Sequence, residues 1–163
     1  MYEWQKYEIK ITRTSDSDTT DAVIDGPKSA AKMFHQHAKE NDYESLWVMV
    51  FNNKNQMIGI QCLASGTASG TSVRGAEVFR LAILLNGIGI VLVHNHPSGS
   101  TQESESDITL TRDIAEAAKL LDIELMDHLI VSSTDVNSLR AQYALDADSP
   151  WLPLSKGSVI HEA

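Results

Sequence analysis

The alternation of apolar and polar residues predicts four strands in the middle of the chain. Glu44–Phe51 is strongly apolar, residues 52–56 are polar, and residues 57–63 are apolar again, which is the pattern of an antiparallel hairpin. Residues 88–93 contain only apolar residues and glycine, as expected for a strand that is covered on both faces. Residues 123–131 form the fourth segment of this kind.

Helical spacing of apolar residues predicts helices over about 27–41, 76–85, about 106–121 and about 135–145. Pro27 suits a first helical turn, and Asn86-Gly87 suits a helix C-terminus. The second helix has a predicted buried face of Val78, Phe79, Ala82, Ile83 and Leu85. The third has a face of Ile108, Thr111, Ile114, Ala115, Ala118 and Leu121.

This order of elements predicts a single α/β domain with a mixed β-sheet flanked by helices on both faces. We place the domain at residues 26–145. Residues 1–25 are expected to form an N-terminal edge strand, over residues 6–12, and a polar loop. Residues 64–71 are expected to form a flexible loop with two glycines, and residues 146–163 an irregular tail.

Composition narrows the class of protein further. The 163 residues carry a net charge of −9, from 22 acidic and 13 basic residues, which disfavours attraction to nucleic acid phosphates or an anionic membrane. The single cysteine, Cys62, excludes an intrachain disulfide framework and is expected in the core. No apolar run approaches the roughly 20 residues of a membrane span, and the N-terminus lacks an apolar signal region. We therefore expect a cytoplasmic protein without a membrane partner.

The strand predicted over residues 88–93 is followed directly by the residues that could bind a metal. His94 and His96 share one face if the strand continues, and Ser104 and Asp107 stand at the start of the next helix. Two imidazoles and a carboxylate with one open position are typical of a catalytic zinc site. The competing interpretation is structural: a bare H-x-H is a weak signal, and Ser104-x-x-Asp107 is also the spelling of a helix-capping box.

The residues H-N-H-P-S-G, with Ser104-x-x-Asp107, resemble the JAMM (MPN-positive) metalloprotease signature H-x-H-P-x6-S-x-x-D. With the downstream run L-M-D-H-L-I-V they resemble the RadC-type branch of that superfamily, in a short stand-alone form. The resemblance covers about residues 42–145. It implies a JAB/MPN, cytidine-deaminase-like fold and a Zn²⁺ ion held by His94, His96 and Asp107.

The resemblance also implies the catalytic roles. Glu44 would be the general acid and base, and Ser104 would help to stabilise the oxyanion. Glu77 is the alternative base. The chain has Gly75-Ala76-Glu77 where the branch commonly has Pro-Arg-Glu, so the rim of the substrate site is expected to differ.

Asp127 and His128 follow in an apolar strand. They would orient a metal ligand from behind or line the substrate groove; the alternative for His128 is a satisfied core histidine.

Three functions remain open at this point. The first is a zinc-dependent hydrolase that cleaves a peptide or isopeptide bond with a metal-activated water. The second is a DNA repair-associated or mobile-element accessory protein, including a metal-dependent nuclease, which the net charge disfavours. The third is a non-catalytic interaction module. The sequence leaves the substrate and the oligomeric state unspecified.

Overall fold

The fold follows from a computed structural model that describes residues 29–32, 34–35, 42–66 and 73–143. The predicted strand over residues 6–12, the polar loop up to residue 25 and the tail over residues 146–163 lie outside these described residues. No helix in the described ranges is long and apolar enough to cross a membrane.

A hairpin forms one side of the sheet. Strand β1 (Glu44–Phe51) pairs antiparallel with strand β2 (Met57–Gly66). The polar turn is stabilised by the side chain of Asn52, whose Oδ1 accepts hydrogen bonds from the backbone N–H groups of Lys54 and Gln56 at 2.9 and 3.0 Å. Strand β2 is longer than predicted, because residues 64–66 continue the pairing with β1 instead of beginning a loop. Gly66 therefore lies opposite Glu44.

Strand β3 (Gly89–Asn95) lies at the centre of the five-stranded sheet, whose order is β2-β1-β3-β4-β5. It pairs antiparallel with β1 and parallel with β4 (Glu124–Val131). Its residues from Gly89 to Val93 are buried, which confirms the prediction of a strand that is covered on both faces, except at Ile88, which precedes the strand and is 50% exposed. The prediction ended this strand at Val93, but the pairing continues through His94 and Asn95.

Helices cover both faces of the sheet, as predicted. Helices α1 (Gly75–Leu85) and α2 (Glu105–Leu121) pack on one face. Their core cluster joins the two helices to three strands, through residues that include Val48, Phe79, Leu92, Ile114 and Leu125. Helical residues 29–32 and 34–35 pack on the other face through Ala30, Ala31 and Phe34, against Met49, Val93 and Leu129 among others.

The helix predicted over residues 135–145 is wrong in its first part. Residues Val136–Ser138 form a short strand, β5, that pairs antiparallel with the end of β4. Helix α3 (Leu139–Tyr143) starts only after it. The carboxylate of Asp127 stabilises the junction between β5 and α3, because it accepts hydrogen bonds from the Ser138 hydroxyl at 2.7 Å and from the Arg140 backbone N–H at 3.1 Å.

Three burial predictions are also wrong. Ile83 and Leu121 are 56% and 44% exposed, because they lie at the margins of the apolar faces of their helices. Cys62 is exposed, although apolar residues flank it. It lies on β2, which is an edge strand of the described sheet and pairs there with β1 on one side.

Candidate metal centre

Two neighbouring strands bring the first candidate residues together. The pairing of Leu46 with His94 places Glu44, at the start of β1, next to the end of β3. Glu44 Oε2 lies 3.8 Å from His94 Nε2. The rings of His94 and His96 meet edge to face, with their centroids 4.8 Å apart. The potential ligand atoms of Glu44, His94 and His96 all lie within 4.8 Å of one another.

His96 has the environment of a metal-binding histidine. It lies one residue beyond β3, where its backbone N–H donates to the Val131 carbonyl at 3.0 Å. Its ring Nδ1 lies 3.0 Å from the Ser100 carbonyl oxygen. Since a carbonyl can only accept, Nδ1 carries the proton and Nε2 keeps a free lone pair. A histidine that ligates a metal typically has this arrangement, with its other N–H donated to a carbonyl.

Asp107 joins the same cluster from the first turn of α2. Its Oδ1 lies 2.9 Å from His94 Nδ1, and its Oδ2 lies 3.8 Å from His96 Nε2. Oδ2 also accepts hydrogen bonds from the Ser104 hydroxyl at 2.6 Å and the Ser104 backbone N–H at 2.8 Å. Burial opposes ionisation of Asp107, but the hydrogen bonds from His94 and Ser104 outweigh it and hold the pKa well below its ordinary value.

Ser104 and Asp107 therefore do form the capping box that the sequence offered as the structural alternative. The Ser104 Oγ accepts the backbone N–H of Asp107 at 3.2 Å while it donates to the carboxylate. The cap fixes the direction of the Asp107 side chain, so that capping and metal binding are compatible roles for these two residues.

The donor set fits a divalent metal of the zinc class. Imidazole nitrogen and carboxylate oxygen are ligands that zinc accepts, and the four side chains converge from two strand ends and one helix start. Two ligand sets are available. The first consists of His94, His96 and Asp107, with Glu44 beside the open position; the second replaces Asp107 by Glu44.

Glu77 lies elsewhere. It occupies the first turn of α1, where its carboxylate accepts from the Arg74 guanidinium at 3.0 Å and from the Arg74 backbone N–H at 3.2 Å. It is absent from the cluster of metal-binding groups in the described residues. Of the two glutamates, Glu44 is the one that lies beside His94 and His96.

Asn95 is a supporting residue that the sequence reasoning missed. It is buried, and its side-chain Oδ1 accepts the backbone N–H of Ser45 at 2.8 Å. Its Nδ2 donates to the Tyr43 carbonyl at 3.0 Å. Asn95 thus holds both neighbours of Glu44 against the end of β3. The only signal in the sequence was its place between the two histidines.

The side chains of Asp127 and His128 face different partners, although the backbone N–H of His128 donates to Asp127 Oδ1 at 2.7 Å. Asp127 faces β5 and α3, and its burial raises the pKa of its carboxyl group against the opposing hydrogen bond from Ser138. His128 is fully buried beneath the cluster, with Nδ1 2.7 Å from the Thr111 hydroxyl oxygen. Thr111 donates its proton to the Asp107 carbonyl at 2.6 Å. His128 Nδ1–H must therefore donate to the Thr111 hydroxyl, and these two consecutive hydrogen bonds support the backbone of Asp107.

The burial of His128 predicts a pH dependence of stability. Burial, with repulsion from His94, lowers the pKa of His128 to about 4. An unfolded histidine has a pKa of about 6.5, so between these values only the unfolded chain takes up the proton and the free energy of unfolding falls as the pH falls. From pH 7 to pH 5, the metal-free wild type should lose about 2 kcal/mol more than His128→Gln in urea unfolding. Equal pH dependence of the two proteins would contradict the assignment.

Two cavities meet at the cluster. One, of about 550 Å³, reaches from Glu44 and His94 between β2 and α2. The other, of about 510 Å³, is lined by Glu44, His94 and His96 together with serines of the loop over residues 97–104. The loop is tied to the end of the described chain, because Glu103 accepts hydrogen bonds from Tyr143 Oη at 2.6 Å and from Gln142 Nε2 at 2.7 Å.

Comparison with known proteins places this arrangement in a family. The family model described as RadC-like JAB domain matches residues 24–144. A UPF0758 protein of Roseiflexus castenholzii is 38% identical over 117 residues, which cover 72% of this chain and 50% of the relative. A UPF0758 protein of Clostridium beijerinckii is 34% identical over 132 residues, which cover 81% and 58%. The chain spans about half the length of the curated relatives it matches. It belongs to the RadC-like JAB domain family.

Proposed function

We propose that the protein is a zinc-dependent hydrolase of JAMM type, which cleaves a peptide or isopeptide bond. The observation that carries the proposal is the convergence of Glu44, His94 and His96 within 4.8 Å, beside the carboxylate of Asp107 and between two open cavities. A merely structural metal site is closed by four protein ligands, whereas a catalytic site keeps one position open to water and substrate.

His94, His96 and Asp107 are the proposed ligands. Bound zinc would supply Lewis-acid polarisation of a carbonyl group and would make a water molecule more acidic. The protein prepares the ligands for this role. Ser100 fixes the tautomer of His96, and the backbone N–H of Ser104 holds the carboxylate of Asp107.

Glu44 is the proposed proton carrier. Its side chain is 39% exposed and faces both cavities, so that it can reach a water molecule and a substrate. The carboxylate would accept a proton from the water as the oxygen attacks the carbonyl carbon. It would then deliver this proton to the leaving nitrogen as the C–N bond breaks, which yields a carboxylic acid and an amine; transfer of the acid proton to the amine leaves a carboxylate and an ammonium group.

Ser104 is the proposed donor to the oxyanion. Its hydroxyl lies at the rim of the second cavity and donates to Asp107 Oδ2 in the substrate-free protein. Once the carboxylate binds a cation, the hydroxyl is free to turn towards the substrate. A hydrogen bond of this kind typically contributes a factor of about 10² to 10³ to the rate.

The test is hydrolysis by the zinc-loaded protein of a panel of peptides and of lysine-branched isopeptides, followed by mass spectrometry. Treatment with a chelator should abolish cleavage, and one equivalent of zinc should restore it. Single- and double-stranded DNA in the same assay test the nuclease hypothesis. Zinc-dependent cleavage of DNA alone, or a folded protein that takes up no zinc, would overturn the proposal.

A further inference from the structure

The cavity between β2 and α2 has the shape of a side-chain subsite. It starts at Glu44, His94 and Asp107 and continues along α2 to Asp113. Since an α-helix rises about 1.5 Å per residue, Asp113 lies roughly 9 Å along the helix from Asp107. The distance suits a long side chain that is anchored beside the metal cluster. The volume of about 550 Å³ lies within the range of small-molecule sites.

The middle of this cavity is apolar. Four apolar side chains line it: Leu46 and Ala64 of the hairpin, Val73 just before α1, and Leu110 of α2. Such walls stabilise the methylene groups of a substrate by the burial of apolar surface. Lysine and arginine place their aliphatic stems along apolar surface in this way and keep their charged ends at a polar rim.

The rim of the cavity carries uncompensated negative charge. Glu105, Thr109 and Asp113 follow one another at intervals of four residues, so they share a face of α2. In the described ranges, neither Glu105 nor Asp113 forms an ion pair with a Lys, Arg or His side chain. Glu105 lies in the first turn, where the helix dipole offsets part of its charge; Asp113 lies more than one turn further on, beyond that effect.

We propose that this cavity is the subsite for a basic substrate residue, a lysine or arginine adjacent to the bond that is cleaved. The inference rests on the proposed function and narrows its substrate class to basic peptides. Zinc at the cluster would neutralise Glu44 and Asp107, so the charge that selects the side chain is that of Glu105 and Asp113. The stem of the side chain packs on Leu46, Val73 and Leu110.

The test is a binding experiment that needs no turnover. The probes are the peptides acetyl-Ala-Arg-Ala-amide and its citrulline counterpart, which has nearly the same shape but no charge. Zinc-loaded protein is titrated with each peptide, and binding is followed by the amide shifts of Ala64, Val73 and Leu110 in nitrogen–proton spectra. The protein variants are Glu105→Gln/Asp113→Asn and, as a matched control, Glu116→Gln, an exposed residue of α2 outside the cavity.

The arginine peptide should bind the wild type and Glu116→Gln about five- to tenfold more tightly than the citrulline peptide, since each exposed ion pair contributes a factor of about two to five. The double variant should bind both peptides equally. Equal binding of the two peptides by the wild type, shifts confined to other surfaces, or no binding of either peptide would overturn the subsite. If the protein hydrolysed neutral and basic peptides equally well, this inference alone would be overturned. If the protein took up no zinc, the result would count against the proposed function.

Discussion

His96→Ala should lower the affinity of the protein for zinc by about a hundredfold or more. The Nε2 lone pair of His96 faces the cluster because its Nδ1–H is held by the Ser100 carbonyl. Alanine removes this nitrogen and leaves one imidazole with the two carboxylates. Elemental analysis of the purified variant and competition with a chromophoric chelator would measure the loss.

His35→Ala is the matched control. His35 is a partly buried histidine whose Nδ1 lies 2.9 Å from the Ser132 carbonyl, outside the metal cluster. Its replacement should leave the stoichiometry and the affinity of zinc unchanged. Circular dichroism of both variants separates the loss of a ligand from the loss of the fold. An unaltered zinc affinity in folded His96→Ala would remove His96 from the ligand set and, with it, the support for the proposed centre.

The central fold was predictable because its signals are local. The β1–β2 hairpin and the buried strand β3 follow from runs of apolar residues, and α1 and α2 follow from helical spacing. Strand β5 escaped prediction because it has only three residues and exists by pairing with the end of β4 across a short turn, which the pattern of its own residues does not show. The exposure of Cys62 escaped for a related reason. An apolar strand at the margin of a sheet looks like a central one until its neighbours are known.

The candidate site, too, was predictable from the sequence only in part. The spacing of His94 and His96 predicted a shared face, and the structure brings the rings of these residues into contact. The sequence offered Glu44 as a carboxylate at the start of a neighbouring strand, and the family resemblance implied its role. Its position beside His94 depends on the register between β1 and β3, which the sequence alone does not give. Thr111 was predicted on the buried face of its helix, as observed, but nothing in the sequence indicated its hydrogen bonds. Its role depends on the stacking of α2 over β4, where its hydroxyl links the backbone of Asp107 to His128.

Glu44→Gln should retain zinc and lose about 10² to 10⁴ of the hydrolysis rate, because glutamine keeps the shape of the side chain but cannot carry a proton. If Asp107 is the third ligand, Asp107→Asn should lose zinc as well as activity. Zinc affinity and the rate at saturating zinc must therefore be measured for both variants.

The pair of variants distinguishes the two ligand sets that the geometry allows. Glu44 and Asp107 face opposite nitrogens of His94, with Glu44 3.8 Å from Nε2 and Asp107 2.9 Å from Nδ1. If Nε2 of His94 bound the metal while Nδ1–H remained with Asp107, then Glu44 would be the ligand and Asp107 would only orient His94. In that case Glu44→Gln would lose most of its zinc, whereas Asp107→Asn would lose only about 10- to 100-fold in affinity. Retention of zinc by Glu44→Gln, with its rate strongly reduced, assigns the proton transfer to Glu44; full activity in this variant would require another base.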